Sequence, residues 1–382
     1  MTNRMPAEAF PPGEFLRDEL DARGWTQTEF AKLIERPVRL VNEIIHGKRG
    51  VSPETALDFA AAFGTSPQYW LNLESSYQLF KAGMVDARTG RDTRIGREAR
   101  LREAFPVREL VKRGWVEASE NVEVFESRVL SFFGVRSVGE TPQFAHAAKR
   151  NYEHAPSILQ QAWLFRVRQL ATALVGPNYS ESGLRAVLGD LETLTGDPEE
   201  IRHVPGMLAQ CGVRFVIVEP LPGSKIDGAC FWIDGGKTPV IGLTLLHDRI
   251  DNFWFVLRHE IEHVLRGDGR TDPVVDVASE DGELTSEAGG EAEAAANAAA
   301  SDFCVPHDQI ENFIARVDPM YSHKKVLGFA NRIRRHPGLV VGQLHHRTGR
   351  YELFRKYLVK VRDIISHSAL TDGFGRMGPA DF

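Results

Sequence analysis

The chain has 382 residues and a formal net charge of −6 at pH 7, from 46 basic and 52 acidic side chains. That length predicts two or three domains, and 42% hydrophobic with 26% charged residues is ordinary for a globular protein with sizeable cores. The balance excludes a histone-like polycation but leaves room for a local basic surface. Cys211, Cys230 and Cys304 are odd in number, far apart and without CxxC spacing. They argue against a disulfide framework or a thiolate zinc site and predict buried thiols in a reducing compartment. No run of 18 apolar residues is present, and the charged, proline-bearing N-terminus does not read as a signal peptide. A cytoplasmic protein without membrane contact is expected.

Residues 13–82 read as consecutive short helices. Phe15, Leu16 and Leu20 recur at helical spacing until Gly24 stops the first. Thr26 and Glu29 form a capping-box pattern opening a second, with Phe30, Ala31, Leu33 and Ile34 inward. Pro37 opens a third, through about His46, and Gly47 ends it. Ser52-Pro53 and Ser66-Pro67 open a fourth and a fifth. Two short helices joined by a tight turn inside such a bundle match a helix-turn-helix, whose second helix enters the DNA major groove. Its N-terminal end here offers Arg36, Arg39, Asn42 and Glu43. Arginine can bond guanine and asparagine adenine, both bidentately. Gln27 at the head of the preceding helix joins the candidate DNA contacts, and Lys48 and Arg49 stand where they can meet phosphate. From Arg36 to Arg49 four basic residues face one acidic residue, a local +3 in a negative protein.

The wording of this segment, from Trp25 to Leu73, closely resembles the XRE-type helix-turn-helix of HigA/VapI antitoxin-like regulators. The matching parts are Thr-Gln-x-Glu-x-Ala from Thr26, the Gly-Lys-Arg end at Gly47, Pro-Glu-x-Ala-Leu from Pro53, and Gly-Thr-Ser-Pro-x-x-Trp-Leu-Asn-Leu from Gly64. The resemblance covers about residues 12–80. It implies a homodimer on palindromic operator DNA, repression of its own promoter, and a cognate toxin as partner.

Residues 85–200 look mainly helical, with amphipathic candidates at 101–117 and 122–135 and a long helix within 147–175. The arginine-rich stretch 86–100 reads as a linker, with an exposed helix touching nucleic acid as the alternative. Strand-like runs then appear at 213–221, 228–233 and 239–246, rich in β-branched and aromatic residues.

A helix over 252–267 follows, containing His259-Glu260-Ile261-Glu262-His263. Residues i and i+4 share one helical face, so both imidazoles can reach one Zn²⁺. Glu260 can lean over the open coordination position and act as general base. A catalytic zinc takes three protein ligands. Glu287, Glu291 and Glu293 are all available on or near an alanine-rich helix beginning at 291, and spacing alone does not choose among them. Trp25, Trp70 and Trp254 read as core. His345 or His346 can stabilise an oxyanion, though a structural role is the simpler reading.

The run from Glu293 to Pro306, together with the HExxH, resembles the ImmA/IrrE metallopeptidase family, which follows that motif with Glu-x-Glu-Ala-Asn/Asp-x-x-Ala-x-x-x-Leu-x-Pro. Asn297 falls four residues after Glu293, the gluzincin-like Glu-x-x-x-Asn/Asp relation, with the second glutamate of the pattern replaced by Ala295. The resemblance implies Glu293 as third ligand rather than Glu291, and Asn297 as its supporting residue. The segment from His336 to Leu344 resembles the family's C-terminal Pro-x-Ile-Val-x-Gly-Arg-Leu. This likeness covers about 200–350 and implies cleavage of a helix-turn-helix repressor or antitoxin.

The expected architecture is mainly α with a smaller α+β part. It comprises an XRE-type DNA-binding domain at 1–84, a helical connecting region at 85–200, a zincin-like peptidase domain at 201–366 and a flexible tail at 367–382. The expected function is a DNA-binding transcriptional regulator carrying a zinc endopeptidase. The alternative is an antitoxin or autorepressor whose peptidase-like domain only senses a ligand or partner. Charge divides sharply in the C-terminal half: 11 acidic and no basic residues from Thr271 to Ala315, then 11 basic and two acidic from His323 to Ile365. The stretch 271–290 reads as an acidic loop.

Overall fold

A computed structural model describes residues 9–89, 91–142, 144, 156–277, 290–374 and 376–378. The chain forms two compact units, 1–99 and 100–382. It is mostly helical with one small mixed sheet. Among the described residues no helix is long and apolar enough to cross a membrane.

The first unit holds α1 (Pro12–Arg23), α2 (Gln27–Leu33), α3 (Val38–Ile45), α4 (Pro53–Phe63) and α5 (Pro67–Thr89); α6 (Arg91–Ala104) crosses the unit boundary. The punctuation follows the residues that announce it. Gly24 ends α1 in the left-handed conformation that a Cβ disfavours. Thr26 and Glu29 make both bonds of the capping box. Ser52 caps α4 ahead of Pro53. Phe30, Phe59, Phe63 and Trp70 pack as one aromatic core, with Trp25 stacked on its edge. Residues 91–100, weighed as linker or exposed helix, are helical in α6.

The second unit adds α7 (Val107–Lys112), α8 (Val122–Phe133), α9 (Ile158–Ala173), α10 (Glu181–Leu194) and α11 (Val204–Gln210) before the sheet begins. Strands β1 (Arg214–Val218), β2 (Ile226–Ile233) and β3 (Thr238–Leu243) lead into α12 (Ile250–Arg266). Then come β4 (Val274–Val277), α13 (Glu291–Cys304), α14 (His307–Val317), α15 (His323–Ile333), α16 (Pro337–Thr348), α17 (Arg362–Ile365), β5 (Leu370–Gly373) and β6 (Arg376–Gly378). The strand order is β4-β2-β3-β1-β5-β6. β1 lies parallel to β3 and β5, and the remaining pairs are antiparallel.

Both sheet faces are covered, and the strands alternate between two cores. Phe215, Ile217, Cys230, Trp232 and Ile241 join α12 and α16 on one face. Val216, Val218, Ala229, Phe231 and Val240 join α8 and α9 on the other. All three cysteines are buried and free.

Two expectations are corrected here. The middle stretch is not a connector. Apolar faces on α8 and α9 cover the second sheet face, with Trp163 donating to the Val218 carbonyl at 2.9 Å. The C-terminal stretch does not begin as a loose tail. β5 supplies the parallel partner for the second edge of β1, and its Asp372 pairs with Arg166 of α9.

Candidate metal centre and nucleic-acid interface

The interior face of α12 follows from its composition. Phe253, Trp254, Val256, Leu257, Ile261 and Val264 are buried, and the same burial takes in His259, Glu260 and His263. Gly267 then ends the helix in the left-handed conformation. Asp268 follows at once, and its carboxylate lies 3.0 Å from His263 Nδ1. Trp232 Nε1 donates to the Asp268 carbonyl at 2.7 Å, which fixes this corner against the sheet.

Helix α13 packs beside α12, and its buried Ala296 and Ala300 allow close approach. This brings Glu293 to the two histidines: Oε2 is 3.3 Å from His259 Nε2 and Oε1 is 3.3 Å from His263 Nε2. Glu291 is exposed at the helix start, and Glu287 lies outside the described residues. The two Nε2 atoms are 3.0 Å apart. A fourth group, which sequence reasoning missed, joins them. Asp276 of β4 places Oδ2 3.0 Å from His259 Nε2. The donor atoms of His259, His263, Asp276 and Glu293 all lie within 4.8 Å of one another.

This donor set fits a divalent cation. Two ligands each about 2.0–2.1 Å from one ion at a tetrahedral angle stand about 3.3 Å apart. Four of the six pairs stand 3.0, 3.0, 3.3 and 3.3 Å apart, and all six lie within 4.8 Å. His259 Nε2 has three polar neighbours at these distances and can carry one proton, so hydrogen bonding cannot satisfy them all. Imidazole nitrogens with carboxylate oxygens are a donor set that zinc accepts.

Electrostatics point the same way. Burial disfavours the His259 imidazolium, but Asp276 and Glu293 override it and push its pKa up to about 10. Burial raises Glu293, but its bonds to His259 and His263 prevail and hold it at about 2. Glu260 is fully buried, and among the described residues neither carboxylate oxygen has a hydrogen-bond partner. Burial first, then the Asp276 charge, pushes it well above the ordinary carboxylate range. Asp227 sits in the β2 bulge between Ile226 and Gly228 and is pushed up to about 6, chiefly by burial.

Asn297 lies one turn beyond Glu293. Its Oδ1 is buried with no hydrogen-bond partner among the described residues. It faces a cavity of about 280 Å³ also lined by Phe255, Ser301, Cys304 and His345. His345 is buried with Nε2 2.6 Å from the Leu353 carbonyl, and His346 is exposed. Both therefore stand apart from the four-donor cluster.

In the first unit, α2 and α3 present the candidate DNA contacts at the surface. Asn42 Nδ2 donates to Gln27 Oε1 at 3.1 Å, joining the two helices by a side-chain amide pair. Arg39 is 87% exposed and pairs with Glu43 at 2.7 Å. Arg49 approaches the other Glu43 oxygen at 3.5 Å, and Lys48 is exposed beside it. The Arg39 hydrogen bond holds the Glu43 carboxyl below the usual carboxylate range. Arg36 turns instead to Asp58 of α4, at 2.7 Å.

A helix-turn-helix family model matches residues 16–70. The chain is 32% identical over 71 residues to the uncharacterised HTH-type transcriptional regulator YddM of Escherichia coli K12, covering 19% of this chain and 76% of that protein. It is 38% identical over 78 residues to virulence-associated protein I of Dichelobacter nodosus, covering 20% and 70%. Among solved structures, the Pseudomonas aeruginosa antitoxin HigA with the higBA promoter is 32% identical, covering 22% of this chain and 90% of that one, with a TM-score of 0.21. A HigA-family addiction module antidote protein of Coxiella burnetii gives 32%, 22%, 90% and 0.21 by the same measures. Through this N-terminal segment the chain belongs to the helix-turn-helix family.

Proposed function

We propose that this chain is a DNA-binding regulator carrying its own zinc-dependent endopeptidase, which acts on a repressor- or antitoxin-type protein, either itself or a partner. The observation that carries the enzymatic reading is the convergence of His259, His263 and Glu293 beside a fully buried Glu260. The regulator reading is supported by the match over residues 16–70 and by the exposed Arg39, Asn42, Lys48 and Arg49. Double-stranded operator DNA, met as a homodimer, is its proposed partner.

A zinc ion held by His259, His263 and Glu293 would supply Lewis acidity to polarise a scissile carbonyl. Glu260 takes a proton from the attacking water and returns it to the leaving amine. Burial and then the neighbouring carboxylate of Asp276 raise its proton affinity. Asp268 holds the His263 ring through Nδ1, which turns Nε2 toward the donor cluster.

A second reading draws on Asp276. Four protein groups at one point suit a closed structural or sensing site as well as a catalytic one. On that reading the chain is an antitoxin-like autorepressor with a partner-sensing module. The test is incubation of the zinc-loaded full chain with itself and with the products of neighbouring genes. Cleavage that disappears in Glu260→Gln supports the endopeptidase; equal behaviour of the variant and the wild type in every incubation removes it.

A further inference from the structure

Asp276 is absent from the ligand set that the sequence motifs imply. It stands on β4, which among the described residues is four residues long, lies at the end of the strand order and pairs with β2. Its register partner is Gly228. Gly228 is also the strand residue against which Glu260 packs, since a Cβ there would collide with Glu260 Oε1. Asp276 therefore meets two neighbours at once. One oxygen stands 3.0 Å from His259 Nε2, and the pairing with Gly228 sets the residue beside the strand position that Glu260 packs against. A water activated by Glu260 has to occupy that same place, between the base and the donor cluster.

Structural zinc sites are filled by four protein ligands, whereas catalytic sites keep one position open. We propose that Asp276 is the fourth protein ligand of this centre and closes it, so that the resting protein is a latent peptidase. The inference rests on the zinc-centre reading above. Opening requires Asp276 to withdraw, which displacement of β4 from β2 would bring about. Among the described residues β4 spans four positions and is bonded along one side, and the bulge at Asp227 already interrupts its ladder with β2. Movement of this one edge strand would free the position beside Glu260 while His259, His263 and Glu293 stay on their two helices.

The experiment uses the full chain loaded with Co²⁺, whose visible absorption reports coordination, and azide as the probe ligand. Wild-type protein is expected to bind one Co²⁺ with a spectrum that azide leaves unchanged. Asp276→Ala is expected to show an azide-dependent spectrum and a metal affinity lower by at least about tenfold in competition with a chromophoric chelator. Circular dichroism checks that the variant is folded; if it is not, the wild-type azide titration decides alone. A wild-type spectrum that azide shifts overturns the closed site while leaving the zinc centre standing. Equal metal affinity in wild type and Asp276→Ala does the same. A wild type that retains no metal overturns both.

Discussion

Gly228 of β2 and Glu260 of α12 touch across the sheet–helix interface, and only the missing Cβ makes room for the carboxylate. The same added carbon would stand 2.9 Å from Val256 Cγ1. Gly228→Ala must therefore push α12 outward or turn Glu260 aside. Overpacking of this kind costs about 1–3 kcal/mol. The expected result is a lower urea midpoint at an unchanged slope, read by circular dichroism. A midpoint equal to wild type would show that the contact yields freely.

Glu260→Gln keeps the shape of the side chain and removes the proposed base. We expect metal content to be retained, because Glu260 is not among the clustered donors. Proteolysis is expected to fall by about 10²–10⁴-fold. Elemental analysis and cleavage followed by mass spectrometry separate the two effects. Loss of metal together with activity would place Glu260 in the wrong role.

Asp268→Ala removes the carboxylate 3.0 Å from His263 Nδ1 and leaves the backbone bond from its N–H to the His263 carbonyl intact. The ring loses its orienting partner. Zinc affinity is expected to drop by about 10–100-fold, measured by chelator competition. An unchanged affinity would mean that packing alone holds the ring.

Among the proposed DNA contacts, Arg39 and Lys48 are expected to behave differently. Arg39→Ala is expected to cost about 1–3 kcal/mol and to relax specificity at one position of an operator upstream of the gene. Lys48→Ala is expected to weaken binding evenly across sequences and to lessen the salt slope by about one. Fluorescence anisotropy across a salt series measures both. If no upstream fragment binds at any salt concentration, the regulator reading is lost.

His336 caps α16 with its ring, because Nδ1 accepts from the Gly338 N–H at 3.1 Å and must be unprotonated to do so. Burial holds its pKa below the ordinary value, against an opposing pull from Asp197. Near neutral pH both folded and unfolded chains carry the neutral ring. Below about pH 6.5 the unfolded chain takes up its proton first, so stability falls until the folded pKa is reached. His336→Asn, which keeps a capping oxygen, is expected to flatten this part of the profile in urea unfolding between about pH 7 and 5. A profile as steep as wild type would assign the acid sensitivity elsewhere.

Local signals carried far in this chain. Thr26 with Glu29, Ser52 before Pro53, and the glycines after α1 and α12 act within one helical turn, so the residues announce their own boundaries. The i, i+4 spacing of His259 and His263 places two nitrogens together by helix geometry alone. Asp268 had a local signal as well, a carboxylate directly after the glycine that ends the helix. Asp276 had none, since it lies in an acidic stretch where no carboxylate is marked out from its neighbours.

What the chain order could not decide was everything that depended on non-local packing. Glu293 rather than Glu291 reaches the histidines because of how α13 lies on α12, and that angle comes from Ala296 and Ala300 against a helix distant in sequence. Asp276 arrives through an antiparallel pairing with β2, whose register is set by a bulge. The middle helices and β5 joined the second unit because both sheet faces and the free edge of β1 needed partners. The sequence by itself determined the helices, the helix-turn-helix segment and the paired histidines, because short-range geometry suffices for each. The tertiary structure alone decided which carboxylates stand beside them, because that depends on contacts between residues far apart along the chain.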